Sequence, residues 1–173
     1  MLRKITSLGV FVLGFCVMTL QARAQTWTDG DLTVQGGGVN TTGPIALVYD
    51  PHANVIRSHY IGGDQHVHEL ALVPGAWQDS DLTVLGGGPN ATGPIATIYD
   101  PNANVIRSHY IGNDMDVHEL FLDAAGWHDD DVTVAGMGPN ATGPNALIYD
   151  PNANVIRSHY IAVDMHVHEL FLQ

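Results

Sequence analysis

A unit of 50 residues repeats three times after residue 25 with no insertion or deletion. Trp27, Trp77 and Trp127 stand one period apart, as do Arg57, Arg107 and Arg157, and Glu69, Glu119 and Glu169. A strict period of this length makes each unit one supersecondary element that buries its apolar face against its neighbours. The run Asn54-Val55-Ile56-Arg57-Ser58-His59-Tyr60-Ile61 recurs unchanged from Asn104 and from Asn154. Each unit reads as four short strands divided by turn residues, in the first repeat 27–34, 45–49, 55–61 and 66–72. Pro51 fixes its own φ and lacks an N–H, so Asp50-Pro51-His52-Ala53-Asn54 is a turn rather than a strand. No segment carries a sustained 3.6-residue apolar period, so essentially no helix is expected and the fold class is all-β.

Two architectures accommodate three four-stranded units. In a β-propeller each unit is a blade, and because rings normally need about 4–8 blades, three would close as a six-bladed ring through a homodimer. A β-trefoil monomer closes within one chain. The phase of the repeat favours the ring: the chain stops at Gln173, four positions before the next Trp would fall, so by register Trp27 supplies the strand missing after the last unit. In a dimer, the first strand of one chain would complete the last blade of the other and cover its open edge.

The first 24 residues are set apart from the repeats. Arg3 and Lys4, an apolar run from Leu8 to Leu20, and Ala22-Arg23-Ala24 form the pattern of a cleavable signal peptide. The domains are therefore residues 1–24, a leader, and residues 25–173, a propeller-like domain of repeats 27–76, 77–126 and 127–173. Cleavage after Ala24 would remove the single cysteine and leave Arg57, Arg107 and Arg157 as the only Lys or Arg against 18 acidic residues. The mature chain is expected to be secreted or periplasmic, without disulfides and without membrane insertion. So acidic a surface repels nucleic acid and anionic lipid but accepts neutral partners.

Arg57 and Glu69 lie six residues either side of Gly63, so in a simple hairpin they would face each other on adjacent strands. A guanidinium beside a carboxylate offers a planar set of donors next to two acceptors, which suits the paired hydroxyls of a sugar. A Trp face suits the sugar's C–H surface. The same residues also suit a structural ion pair between blades with a Trp in the core, and both readings stand at this level. The sequence Arg57-Ser-His-Tyr-Ile, Val67-His-Glu69-Leu and Trp77, with its two copies, resembles the fungal fucose-specific lectin family and its bacterial relatives. That resemblance covers essentially the whole mature chain and implies six-bladed propellers in which Arg and Glu of one blade grip the sugar while an aromatic of the next packs on it. The implied carbohydrate-binding residues are Arg57, Glu69, Trp77, Arg107, Glu119, Trp127, Arg157, Glu169 and, by register, Trp27. One departure stands out: Leu72, Leu122 and Leu172 occupy positions where many blades of that family carry a further Trp.

The expected function is a secreted, multivalent, non-catalytic lectin for glycans, with fucose or a related sugar as ligand; the alternative is a structural or adhesive repeat protein without a sugar. Catalysis lacks support: the mature chain has no Cys or Lys and no Gly-x-Ser-x-Gly elbow, and three equivalent sites fit repeated binding better than one asymmetric carboxylate pair. His66 and His68 share a strand face, as do His166 and His168. The second repeat has Asp116 in place of the first His, and no spacing of a four-ligand structural zinc site appears. These histidines are therefore read as hydrogen-bonded side chains at blade edges, with no metal and no cofactor.

Overall fold

The computed structural model describes residues 28–172; the leader and Trp27 lie outside them. From Asp31 onward the chain forms three antiparallel sheets. The first holds β1 (Thr41–Asp50), β2 (Val55–Gly62), β3 (Val67–Val73) and β4 (Ala76–Asp81) in sequential order. The second holds β5 (Ala96–Asp100), β6 (Val105–Ile111), β7 (Val117–Asp123) and β8 (Gly126–Asp131). The third holds β9 (Ala141–Asp150), β10 (Val155–Ala162) and β11 (Val167–Leu172). Each sheet takes three consecutive strands from one repeat, the first two sheets take their fourth from the Trp segment that opens the next repeat, and the sheets pack face to face, which is propeller construction; a trefoil would merge strands of all three repeats into one barrel.

The Trp strand is the outermost of the first two sheets, and it is shorter than the sequence suggests. Trp77 sits on β4 and Trp127 on β8, each pairing with the leucine at the end of the preceding strand, Leu72 and Leu122. The chain then turns into a single helical turn: α1 (Leu32–Gly36), α2 (Leu82–Gly86) and α3 (Val132–Ala135). Asp31, Asp81 and Asp131 cap them, each carboxylate accepting from the N–H three residues on. The expectation of essentially no helix is corrected here. One turn presents too few residues to write a 3.6 period into the sequence, so only the Asp cap marks it.

These turns lock neighbouring blades together. Leu82 of α2 is fully buried in a cluster with Ile61, Val67, Ala91, Ile95, Tyr110 and Leu120, and Thr83 Oγ1 accepts from the Val67 N–H at 2.8 Å. Thr133 does the same for Val117 at 2.7 Å. At the ends of the stack the equivalents are bare. Val67 and Val117 are 0% exposed whereas Val167 is 71% exposed, and Leu32 and Thr33 of α1 are only half-buried.

One core position breaks the repeat. Ile95 is buried between the sheets, and its counterpart Asn145 is also buried, with neither Nδ2 nor Oδ1 meeting a hydrogen-bond partner among the described residues. An unsatisfied buried amide costs about 1–3 kcal/mol. Asn145→Ile is expected to raise stability by about that amount in urea denaturation.

Candidate functional site

The hairpins bring Arg and Glu together in all three repeats, through a register that differs from the simple one. Glu69 stands opposite His59, and Arg57 opposite Ala71; the hairpin turns about Asp64, not Gly63. Arg57 is therefore diagonal to Glu69 on the same face, and its length closes the gap. Nη1 donates to both Glu69 oxygens at 2.9 Å, while Nε and Nη2 donate to Asp50 Oδ2 at 3.1 and 3.0 Å. In the second repeat Arg107 donates to Asp100 and Glu119, each at 2.8 Å. In the third, Arg157 meets Asp150 and Glu169, each at 2.9 Å.

The sequence places Asp50 in a turn, and the structure keeps it there. Its Oδ1 accepts from the N–H groups of His52 and Ala53, at 3.0 Å each. The other oxygen is thereby aimed at Arg57. His59 was likewise missed as a partner of the pair: its Nε2 donates to Glu69 Oε2 at 2.9 Å, and its Nδ1 lies 2.6 Å from Ser108 Oγ in the next blade. His109 repeats this between Glu119 (3.2 Å) and Ser158 (2.9 Å). A chain Asp–Arg–Glu–His–Ser thus crosses each blade junction. The repeated Asp, His and Ser carried the signal, but no sequence spacing tells that His of one repeat meets Ser of the next.

The carboxylates are sealed where a neighbouring blade covers them. The Glu69 and Glu119 side chains are 4% and 6% exposed, against 37% for Glu169 at the end of the stack. Burial acts to raise the carboxyl pKa of Glu69 and Glu119, but the hydrogen bond and charge of the paired His and the charge of the paired Arg outweigh it and hold both below the ordinary value. Arg57 and Arg107 are correspondingly held above theirs: desolvation opposes the charge, and the flanking Glu and Asp prevail.

At the second junction a cavity of about 190 Å³ is lined by His109, Glu119, Ser158 and Leu170, among others, and at both junctions the arginine side is open. A cleft of about 360 Å³ is lined by Asp50, His52 and Arg57 of the first blade and by Asn104, Ile106 and Leu122 of the second, among others. Shifted by one period, a cleft of about 340 Å³ is lined by Asp100, Asn102, Arg107, Asn154, Ile156 and Leu172. Ala103 borders both. Among the described residues, neither Glu69 nor Trp77 nor Trp127 lines these clefts. Trp127 instead packs edge-on against His59, ring centroids 5.6 Å apart, and against the core between the first two blades. It buttresses the Arg57–Glu69 network from the second blade. Trp77 is half-buried on the outer strand of the first sheet, and Trp27 lies outside the described residues. The leucines that replace the family's further Trp have a place in the geometry, because Leu122 and Leu172 form the apolar walls facing Arg57 and Arg107.

No protein-family model matches the chain, and no curated protein matches it either. Solved structures do. A fucose lectin from Kordia zhangzhouensis in complex with methyl-fucoside is 16% identical with a TM-score of 0.51, covering 75% of this chain and 92% of that one. SapL1 lectin in complex with alpha methyl fucoside is 18% identical with a TM-score of 0.56, covering 83% of this chain and 45% of that one. The chain has the fold of the fucose-lectin propellers. A mutant of AofleA from Arthrobotrys oligospora shares it at 12% identity and a TM-score of 0.52, over 75% of this chain and 38% of that one. The propeller fold is thus spanned almost whole against the first of these lectins and over less than half of the other two.

Proposed function

We propose that this protein is an exported, multivalent lectin that binds neutral glycans, with fucose or a related sugar as ligand, in the clefts between successive blades. The supporting observation is the repeated cleft itself. Arg57 faces Ile106 and Leu122 across one junction, and Arg107 faces Ile156 and Leu172 across the next. Each pairs a fixed guanidinium edge, suited to hydroxyl oxygens, with an aliphatic wall suited to the methyl group of a 6-deoxy sugar. The buried Glu orients the Arg and does not line the cleft, so the contact set differs from the Arg-plus-Glu grip that the sequence suggests. Two of the structural neighbours are themselves complexes with methyl-fucosides, which gives the first ligand to try. Weak single sites would gain strength from repetition on one rigid body.

Closure into a six-bladed ring by two copies belongs to the same reading. The bare face of the third blade, with Val167, His159 and Glu169, presents the groups that the first two blades bury. The half-buried Leu32 and Thr33 present the groups that α2 and α3 use to bury them. A second copy would bring both junctions together.

The second reading, an ion-pair clamp without a ligand, is favoured by the sealed carboxylates. A glycan array that includes methyl-fucoside separates the two. The wild type is expected to bind, and Ala103→Trp, an exposed turn substitution that crowds the border the two clefts share without replacing a member of an ion pair, to lose binding at least tenfold while its melting temperature holds. A triple Arg57, Arg107 and Arg157→Ala variant should bind nothing. A wild type that binds no glycan, or an Ala103→Trp variant that binds as well as wild type, leaves only the clamp.

A further inference from the structure

We propose that Asp64, His66, His68 and Asp81 form a binding site for a divalent transition-metal ion of the zinc class, separate from the sugar clefts. The two histidines share a face, with ring centroids 6.4 Å apart. The fold adds two carboxylates that sequence spacing did not bring to them: Asp64 from the turn before β3, and Asp81 from the end of β4, which pairs directly with His68. One nitrogen or oxygen from each of the four lies within 4.8 Å of the others. Metal–ligand bonds of about 2.0–2.2 Å would draw the four side chains together around the ion.

The ligands are already aimed. His68 is buried, and its Nδ1 lies 3.0 Å from Asp79 Oδ2, while its Nε2 lies 3.1 Å from Asp64 Oδ2. A histidine that gives one ring N–H to a carboxylate and turns the other nitrogen to a cluster of donors has the outer support typical of a metal ligand. The Asp81 Oδ1 caps α2 through the Val84 N–H at 3.0 Å, leaving Oδ2 on the His66 Nδ1 at 2.7 Å. Asp64 is fixed by accepting the His66 N–H at 3.1 Å. The same turn brings Asp164 Oδ2 to 3.0 Å from His168 Nε2 in the third repeat, so the convergence of the two side chains belongs to the hairpin itself. Asp64 is exposed and His66 and Asp81 are half-buried, so an ion can enter from solvent. Two imidazoles with two carboxylates favour zinc, cobalt or nickel over calcium and magnesium, which prefer all-oxygen sets.

The repeats supply the controls. The third carries Asp164, His166 and His168, three of the four ligands. The second has Asp116 where His66 stands, which shows that the blade tolerates the exchange. Titration of the mature protein with Zn²⁺ by calorimetry, and with Co²⁺ by its visible absorption, tests the site. Wild type is expected to bind Zn²⁺ and to give a Co²⁺ band of low coordination number. His66→Asp is expected to lose one metal equivalent, or to weaken it 10–100-fold, with circular dichroism unchanged, and His166→Asp to leave that equivalent in place. No Zn²⁺ binding by the wild type, an unchanged titration in His66→Asp, or Ca²⁺ displacing Zn²⁺ at equal concentration would overturn the site. None of these results depends on sugar binding.

Discussion

Glu119→Ala is expected to destabilise the protein by about 3–5 kcal/mol, because it removes a nearly buried carboxylate and leaves the side chains of Arg107 and His109 short of a partner. Arg107 would lose its 2.8 Å contact and His109 its 3.2 Å contact, both at side chains that are nearly buried. Asp100 still holds Arg107, but nothing else among the described residues accepts from His109 Nε2. Set against a total of about 5–15 kcal/mol, the loss is large, and for a chain of this length it lowers the melting temperature by roughly 10 °C. Glu169→Ala makes the informative comparison. Its carboxylate is exposed in the single chain, so a small effect there describes an open stack, whereas a loss similar to that of Glu119→Ala describes a closed ring. Equal, negligible effects for both substitutions would mean that the Arg–Glu pairs do not clamp the blades.

Val167→Asp is expected to convert a ring of two chains into single chains. In one chain Val167 is exposed, and replacing it there costs little. At the two internal junctions the same position is wholly buried under the next helical turn, with its N–H held by a threonine hydroxyl. An unpaired carboxylate at that depth is incompatible with closure. Sedimentation of the mature wild type should give near twice the mass of one chain, and the variant near one, with sheet content preserved. A wild type that sediments as a single chain removes the ring, and the two internal clefts would then be the whole of the binding surface.

Much of the site was legible because strand geometry is short-ranged. Alternation along β2 and β3 puts Arg57 and Glu69 on one face whichever of two neighbouring even registers forms, and a long arginine spans the difference. The same reasoning could not reach further. Asp50 had a sufficient local role in its turn, so its second oxygen gave no sign of Arg57. A tryptophan recurring every 50 residues is as consistent with a sugar platform as with a buttress, and nothing in the spacing tells that Trp127 packs edge-on against His59. Asp64 and Asp81 each looked like ordinary turn and strand-end residues, and His66 lies 15 residues from Asp81 in the chain yet 2.7 Å away in space.

By itself the sequence determined the number of units, their all-β character, the hairpin that pairs Arg with Glu, and an acidic surface fit for neutral partners. Each of these depends on periodicity or on contacts within a dozen residues. Only the tertiary structure decided that the blades stand as separate sheets, that the carboxylates are sealed while the arginines border a cleft, and that His of one blade meets Ser of the next. Those facts depend on how sheets stack, and stacking is fixed by packing between repeats, which identical copies of a sequence cannot encode by position alone.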